Sequence, residues 1–305
     1  KITKIYTPDS LRDKIATLIS LEHTNKETNN IYQALFLAKS LPLHLQKIFS
    51  NLGISHLIAI SGFHLGVLSA LLFFIIKYPY KFIQSRYFPY RSYTRDTFII
   101  ITFILFTYLI LLGTPPSLLR AFVMLLVGFI LYDRGIEVIS MQTLLLTVLL
   151  ILSLFVELLF SIGFWLSVSG VFYIFLFLIH FKEKHKLWQF LLLPFWVYLL
   201  MLPYSLTIFS NFSLYHPLSI IWTSLFTIFY PLSIALHLVG YGDLFDNFLI
   251  FLVHLDPHAT SVKLNYYFLF VEILLSIFAI FKREALYLLL LYSFSLFIYA
   301  IYHIA

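Results

Sequence analysis

Residues 140–160 read SMQTLLLTVLLILSLFVELLF, a run in which Glu157 is the single ionisable side chain. A hydrocarbon core about 30 Å thick takes roughly 20 helical residues to cross, so this run has the length and composition of a membrane span. Comparable runs flank it at 56–76, 97–113, 115–132, 163–181, 187–206, 216–240, 265–281 and 284–304. The composition agrees with them: of 305 residues, 61% are hydrophobic and 11% charged, with a mean hydropathy of +0.94. Soluble domains carry about 25% charged residues, so this chain lacks the polar surface of a water-soluble fold. The expected fold class is all-α, a polytopic transmembrane helical bundle of about nine spans with kinked or broken helices. Pro194, Pro203 and Pro231 fall inside spans, where proline removes a backbone donor. Gly113-Thr114-Pro115-Pro116 and Ser161-Ile162-Gly163 read as tight hairpins.

Residues 1–55 differ from the rest, with seven basic and four acidic side chains. Ser10 and Asp13 resemble a capping box, and Leu11, Ile15, Leu18 and Ile19 follow at helical spacing. Pro42 opens a second amphipathic stretch through Leu45, Ile48, Phe49 and Leu52, with Gly53 as a C-cap. Residues 1–55 therefore read as N-terminal amphipathic helices on or just outside the bilayer, and 56–305 as the transmembrane domain. The start at Lys1 rather than Met leads us to expect a fragment or a processed product.

Basic residues orient the bundle. The segment 77–96 carries Lys77, Lys81, Arg86, Arg91 and Arg95 against Asp96, and 182–186 carries three lysines against one glutamate. Simple alternation puts both in the cytoplasm and residues 1–55 outside. It also puts Lys282 and Arg283 outside, against the rule, unless 241–264 hides a crossing or Pro231 splits its span.

The stretch His56-Leu57-Ile58-Ala59-Ile60-Ser61-Gly62-Phe63-His64-Leu65-Gly66 carries the chemistry. On an ideal helix at about 100° per residue, Ala59, Gly62, Gly66 and Ser69 form a small-residue stripe suited to close helix packing. His56, Ser61 and His64 fall on the other side. Elsewhere the sequence excludes more than it offers. Without cysteine there is no disulfide or thiolate metal site. No G-K dipeptide, nucleophile elbow or H-E-x-x-H occurs, so neither an ATP-driven motor of the Walker type nor an enzyme is expected, and no cofactor or metal. His254, Asp256 and His258 have ligand chemistry but read as a loop or short interfacial helix.

The stretch from His56 to Gly66 resembles the HLLAISGLHVG signature of the ComEC family of competence DNA channels. Pro116-Ser117-Leu118-Leu119-Arg120-Ala121 is similar to that family's PSxLRA segment, and Ser161–Ser167 to its SxGFxLS segment. The lead-in Asn51-Leu52-Gly53-Ile54-Ser55 is similar as well. Together these cover roughly residues 10–240 in the family's order. Two positions depart from it: Trp165 stands where many members have Gln, and Ile220 where many have Asn. The resemblance implies import of transforming DNA, as a single strand, through a bacterial inner membrane. It implies work with an extracytoplasmic DNA receptor, a separate nuclease, and a cytoplasmic motor or single-strand-binding proteins. The nuclease-type HxHxDH pattern is absent from this sequence.

Ionisable groups inside spans are costly and are functional candidates. His56, Arg120, Glu157 and His216 fall near outer span ends under this topology. The DNA-path candidates are His56, Ser61, His64, Arg120 and His216, with Arg120 offering a planar, permanently charged fork to phosphates. Arg120 alternatively pairs with Glu157 or snorkels to headgroups, and His64 alternatively bonds a neighbouring helix. Tyr78, Tyr80, Tyr87, Tyr90 and Tyr93 interleave the basic segment, a pattern able to hold single strands but read first as an ordinary positive-inside loop with interfacial tyrosines. Glu272 sits mid-span, where a carboxyl can hold its proton. The rival reading of the whole is a secondary transporter of a small polar or anionic solute, built on broken helices.

Overall fold

The computed structural model describes residues 10–255 and 257–303. It is an all-α polytopic bundle. Among the described residues seven helices are long and apolar enough to cross a membrane, and two shorter apolar ones, Met141–Leu154 and Tyr266–Ala279, accompany them. The helices are α1 Leu11–Glu22, α2 Lys26–Leu37, α3 Leu43–Asn51, α4 Ser55–Ile58, α5 Gly62–Tyr87, α6 Tyr93–Leu111, α7 Pro116–Asp133, α8 Met141–Leu154, α9 Ile162–His180, α10 Lys186–Ile208, α11 Ser219–Val239, α12 Asp246–His254, α13 Tyr266–Ala279 and α14 Arg283–Tyr302. Two compact units divide them: Lys1–Lys47, Ser55–Phe122 and Phe226–Asp256 in the first, and Ile48–Ile54, Val123–Leu225 and Pro257–Ala305 in the second.

Local chemistry sets the ends of these helices. Ser10 accepts the Asp13 N–H at 3.2 Å and starts α1. Asn25 accepts the Glu27 N–H at 2.7 Å and starts α2. In the first unit, Arg12 donates through Nε (3.1 Å) and Nη2 (2.6 Å) to the Leu37 carbonyl. It thereby places a cation on the negative end of α2. Tyr108, near the end of α6, donates to the Phe36 carbonyl at 2.9 Å, which ties α2 to the α6–α7 hairpin. That hairpin turns at Gly113 and Thr114, both at positive φ (77° and 52°), and Pro116 supplies the first residue of α7.

In the second unit, α9, α10, α13 and α14 pack along their lengths. Near one end Tyr173, Leu176, Phe177, Trp196, Leu200, Ala279, Leu286 and Leu289 cluster. Near the other end Leu202, Leu206, Phe212, Val262, Leu264, Leu296 and Ala300 do the same. Lipid is as apolar as leucine, so such contacts hold a membrane bundle by fit more than by exclusion of water. α10 runs unbroken through Pro194 and Pro203, and α11 through Pro231.

Two details of the second unit correct the expected topology. Asn211 pairs with Ser261 and Phe212 with Thr260 in a short antiparallel ladder, so the chain leaves and returns on the same side. α12, in the first unit, has nine residues, fewer than a crossing takes. α11, expected to cross as residues 216–240, has the length and apolarity to do so. Its second half packs in the first unit against α2 and the start of α5, through Phe36–Tyr230 (6.1 Å) and His64–Tyr230 (4.7 Å). Within the second unit, Lys282 and Arg283 are not opposite the lysines of 182–186. His180 bonds the Ala279 carbonyl at 2.9 Å, which brings the two basic turns to one end and removes the exception to the positive-inside rule. Because the chain has no cysteine, single cysteines report this directly. Leu214→Cys and Ser261→Cys should label from the outside of intact cells, and Lys184→Cys and Lys282→Cys only after permeabilisation. Labelling of position 282 from outside would refute the corrected topology.

Candidate DNA-contacting site

The signature stretch is not one helix. α4 ends at Ile58, Ala59 to Ser61 are unwound, and α5 starts at Gly62. This corrects the ideal-helix reading of its two faces, because the phase is lost at the break. The cause is local. Ser61 adopts an extended conformation as the N-cap of α5, and its N–H donates to Nδ1 of His64 at 3.1 Å, with its hydroxyl at the same distance. A histidine thus fills the third position of a reciprocal cap. With Nδ1 accepting, the network assigns the ring proton to Nε2. The ring is buried, walled by Phe226 at 5.2 Å and Tyr230 at 4.7 Å.

The first turns of α7 close on this break. Ser117 donates to the Ile60 carbonyl at 3.0 Å, which satisfies a group the unwinding would orphan. One turn later, a Cβ on Gly62 would sit 3.0 Å from the Ala121 Cβ, so only glycine lets the two helices meet without displacement. The segments 56–66 and 116–121 therefore form one structural element. Ser117→Ala should cost about 1–3 kcal/mol by stranding the Ile60 carbonyl, read as a lower thermal midpoint of purified protein. An unchanged midpoint would mean that this carbonyl finds water.

Arg120 belongs to the same turns of α7. It is 9% exposed, and its Nε is buried with no hydrogen-bond partner among the described residues. A guanidinium held this way keeps donor capacity for an anion. α5 directs its N-terminal amides and the positive end of its dipole at the break, which favours anions there too. His56 is exposed on α4.

The remaining candidates have other surroundings. Of the small-residue stripe, Gly62 alone makes the close approach: Ala59 is exposed, nothing lies within 4 Å of a Cβ on Gly66, and Ser69 turns its hydroxyl to the Gly66 carbonyl at 2.8 Å. His216 and Glu157 lie in the second unit. His216 donates from Nε2 to the Ser50 carbonyl at 3.1 Å. It packs where a Cβ on Gly53 would approach within 3.0 Å of its ring, and Gly53 has φ of 73°. Both features require glycine at 53, and the lead-in 50–53 is thereby pinned to 211–216. Glu157 is exposed on a 3-10 turn, Val156–Phe160, between α8 and α9. His254 bonds the Ile250 carbonyl at 2.7 Å, and Asp256 lies outside the described residues.

The basic segment 77–96 is helical for most of its length. Lys77, Lys81 and Arg86 ride on the end of α5, Arg95 on the start of α6, and only 88–92, with Arg91, form the loop. Lys77 lies 5.1 Å from the Phe73 ring and Lys81 5.4 Å from Tyr93. Arg91 grips Asp96 through two bonds of 2.8 Å, and Tyr80 donates to the same carboxylate at 2.6 Å. Lys81, Arg86 and Arg95, with Tyr78, Tyr87 and Tyr90, are exposed.

One polar cluster of the first unit escapes sequence reasoning. His23 Nδ1 meets Asp246 at 2.9 Å, and His23 Nε2 faces His237 Nε2 at 3.0 Å. His237 Nδ1 is 2.7 Å from the Ser233 carbonyl. The two rings thus face each other nitrogen to nitrogen, with both Nδ1 atoms engaged elsewhere. Tyr32 stacks on His23 at 4.5 Å. Burial, with Asp246 and Asp243 nearby, raises its phenol far above the usual range. No sequence rule links residues this far apart.

Over residues 38–305 the chain matches the model of a family described as Competence protein. No curated protein and no solved structure gives a match.

Proposed function

The chain belongs to the Competence protein family, and from that premise we propose that it forms the inner-membrane path by which single-stranded transforming DNA reaches the bacterial cytoplasm. One observation carries this reading: a helix broken at Ala59–Ser61, closed on by α7, with the buried Arg120 holding unspent donor capacity on the same turns. A strand that must shed water from its phosphates needs such donors at the membrane boundary. In this reading Arg120 and the α5 amides take successive phosphates, while His64 shapes the break instead of touching the strand.

Residues 1–55 stand outside and meet an extracytoplasmic DNA receptor, which delivers a strand freed by a separate nuclease. The exposed cations and tyrosines at the α5–α6 end, Lys81, Arg86, Tyr87 and Tyr90 among them, face the cytoplasm. There they hand the strand to a motor or single-strand-binding protein. The chain is a path and performs no bond chemistry. Uptake of labelled DNA by cells lacking the gene tests the reading: uptake should be lost and return with a plasmid copy, and undiminished uptake would end it.

A further inference from the structure

Glu272 lies mid-way along α13, about 9–10 Å from either end at the helical rise, and it is fully buried. Among the described residues no cation pairs with it. In α14, Ser293 Oγ is 3.0 and 3.1 Å from its two carboxyl oxygens. The Tyr173 hydroxyl of α9 is 3.5 Å from one of them and 2.9 Å from Ser276 Oγ. Tyr204 of α10 stands beyond Tyr173 at 3.4 Å, and Tyr292 of α14 donates to the Phe268 carbonyl, one turn before Glu272 on α13, at 2.8 Å. The titratable groups around Glu272 are therefore tyrosines, which are neutral over the physiological range.

The hydrogen-bond inventory decides what state this arrangement suits. With a proton on Glu272, every donor has an acceptor at good distance. Glu272 donates to Ser293, Ser293 to the Leu289 carbonyl (2.9 Å), Ser276 to the Glu272 backbone carbonyl (2.7 Å), and Tyr173 to Ser276 (2.9 Å). Without that proton, Ser293 turns its hydrogen to the carboxylate and Tyr173 can swing to the oxygen 3.5 Å away. The Leu289 carbonyl, at a helical i−4 position, loses only a supplementary bond. Two hydroxyl rotations thus convert one state into the other, and no helix has to move. A carboxyl placed only for packing would need no such second arrangement, and an amide would fill its place.

We propose that Glu272 is a proton-binding site that takes up and releases a proton in the transport cycle, a role that rests on the DNA-import reading above. The step is a proton transfer only: an O–H bond forms at the carboxylate as a hydronium ion on one side gives up a proton and becomes water, and it breaks as a water on the other side takes that proton. The physical need is plain. Each inward-moving phosphate carries negative charge against an interior-negative potential, the chain has no phosphate loop to spend ATP, and an inward proton offsets one such charge.

Infrared difference spectra of the purified protein in lipid, recorded between neutral and alkaline pH, test the site. Wild type should lose a protonated-carboxyl band on alkalinisation, and Glu272→Gln should lack that band while keeping wild-type thermal stability. Identical spectra in the two proteins would overturn the assignment. In cells, Glu272→Gln at normal protein level should lower DNA uptake at least tenfold and leave a remainder indifferent to collapse of the pH gradient, with Glu272→Asp partly restored. Wild-type uptake and wild-type gradient sensitivity in Glu272→Gln would overturn the coupling. The two readings fail separately. Normal uptake after deletion of the gene ends the import role, whereas the infrared band still reports on the proton site.

Discussion

Arg120→Ala should cut uptake of labelled DNA roughly ten- to a hundredfold while protein level and membrane insertion stay normal. The magnitude follows from a single charge-assisted contact, about 1.5–3 kcal/mol, applied to each phosphate as it passes. Stability should not fall with it, because the guanidinium is buried with its Nε unpartnered among the described residues. Removing a costly buried charge is neutral or favourable to folding. That combination separates a substrate-facing arginine from a structural one, for which loss of uptake would track loss of protein. Arg120→Lys keeps the charge without the fork and should fall between the two. Unimpaired uptake in Arg120→Ala would remove this residue from the path.

Gly62→Val should be as severe, for a different reason. Even a bare Cβ at 62 would stand 3.0 Å from the Ala121 Cβ, and the two further methyls of valine widen that clash. Overpacking of this kind typically costs about 1–3 kcal/mol. Here it would separate α7 from the break, and with it the bond from Ser117 to Ile60. Uptake should drop more than tenfold, together with the thermal midpoint. Ala121→Gly alone should cost about 1 kcal/mol as a glycine inside a helix. Combined with Gly62→Val it should recover much of the loss, and a double-mutant coupling of at least about 1 kcal/mol would mark direct contact. Additive losses would mean that the two residues do not act on one another.

The bundle was legible from hydropathy because each span is an independent, local signal. The nine apolar stretches appear as helices, the Ser10 cap and the Gly113 hairpin appear where the sequence puts them, and the family resemblance agrees with the family match over residues 38–305. What sequence could not supply were features made by tertiary contact. The pairing of 211–212 with 260–261 and the bond from His180 to Ala279 join residues far apart in the chain. α2 was masked by its polar start, KETNN, although Asn25 is a fair N-cap and Ile31 and Leu35 stand four apart. The break after Ile58 was hidden because Ser61 and His64 read equally well as residues of a continuous helix. Their cap is a three-residue signal that resembles a capping box with His in place of Glu. The Ser117–Ile60 and Gly62–Ala121 contacts join segments more than fifty residues apart, a link no local pattern carries. The two family-like segments were visible separately, and their junction was not.

The most direct test of the path is photocross-linking of DNA arrested in transit. A photoreactive residue at Ala59, exposed at the break, should join to the strand, and the yield should fall when Arg120 is also replaced by Ala. The same residue at Leu145, 60% exposed on the apolar surface of α8, should join to lipid alone. Cross-links from position 145 with none from position 59, in cells that still import DNA, would contradict passage beside the α4–α5 break.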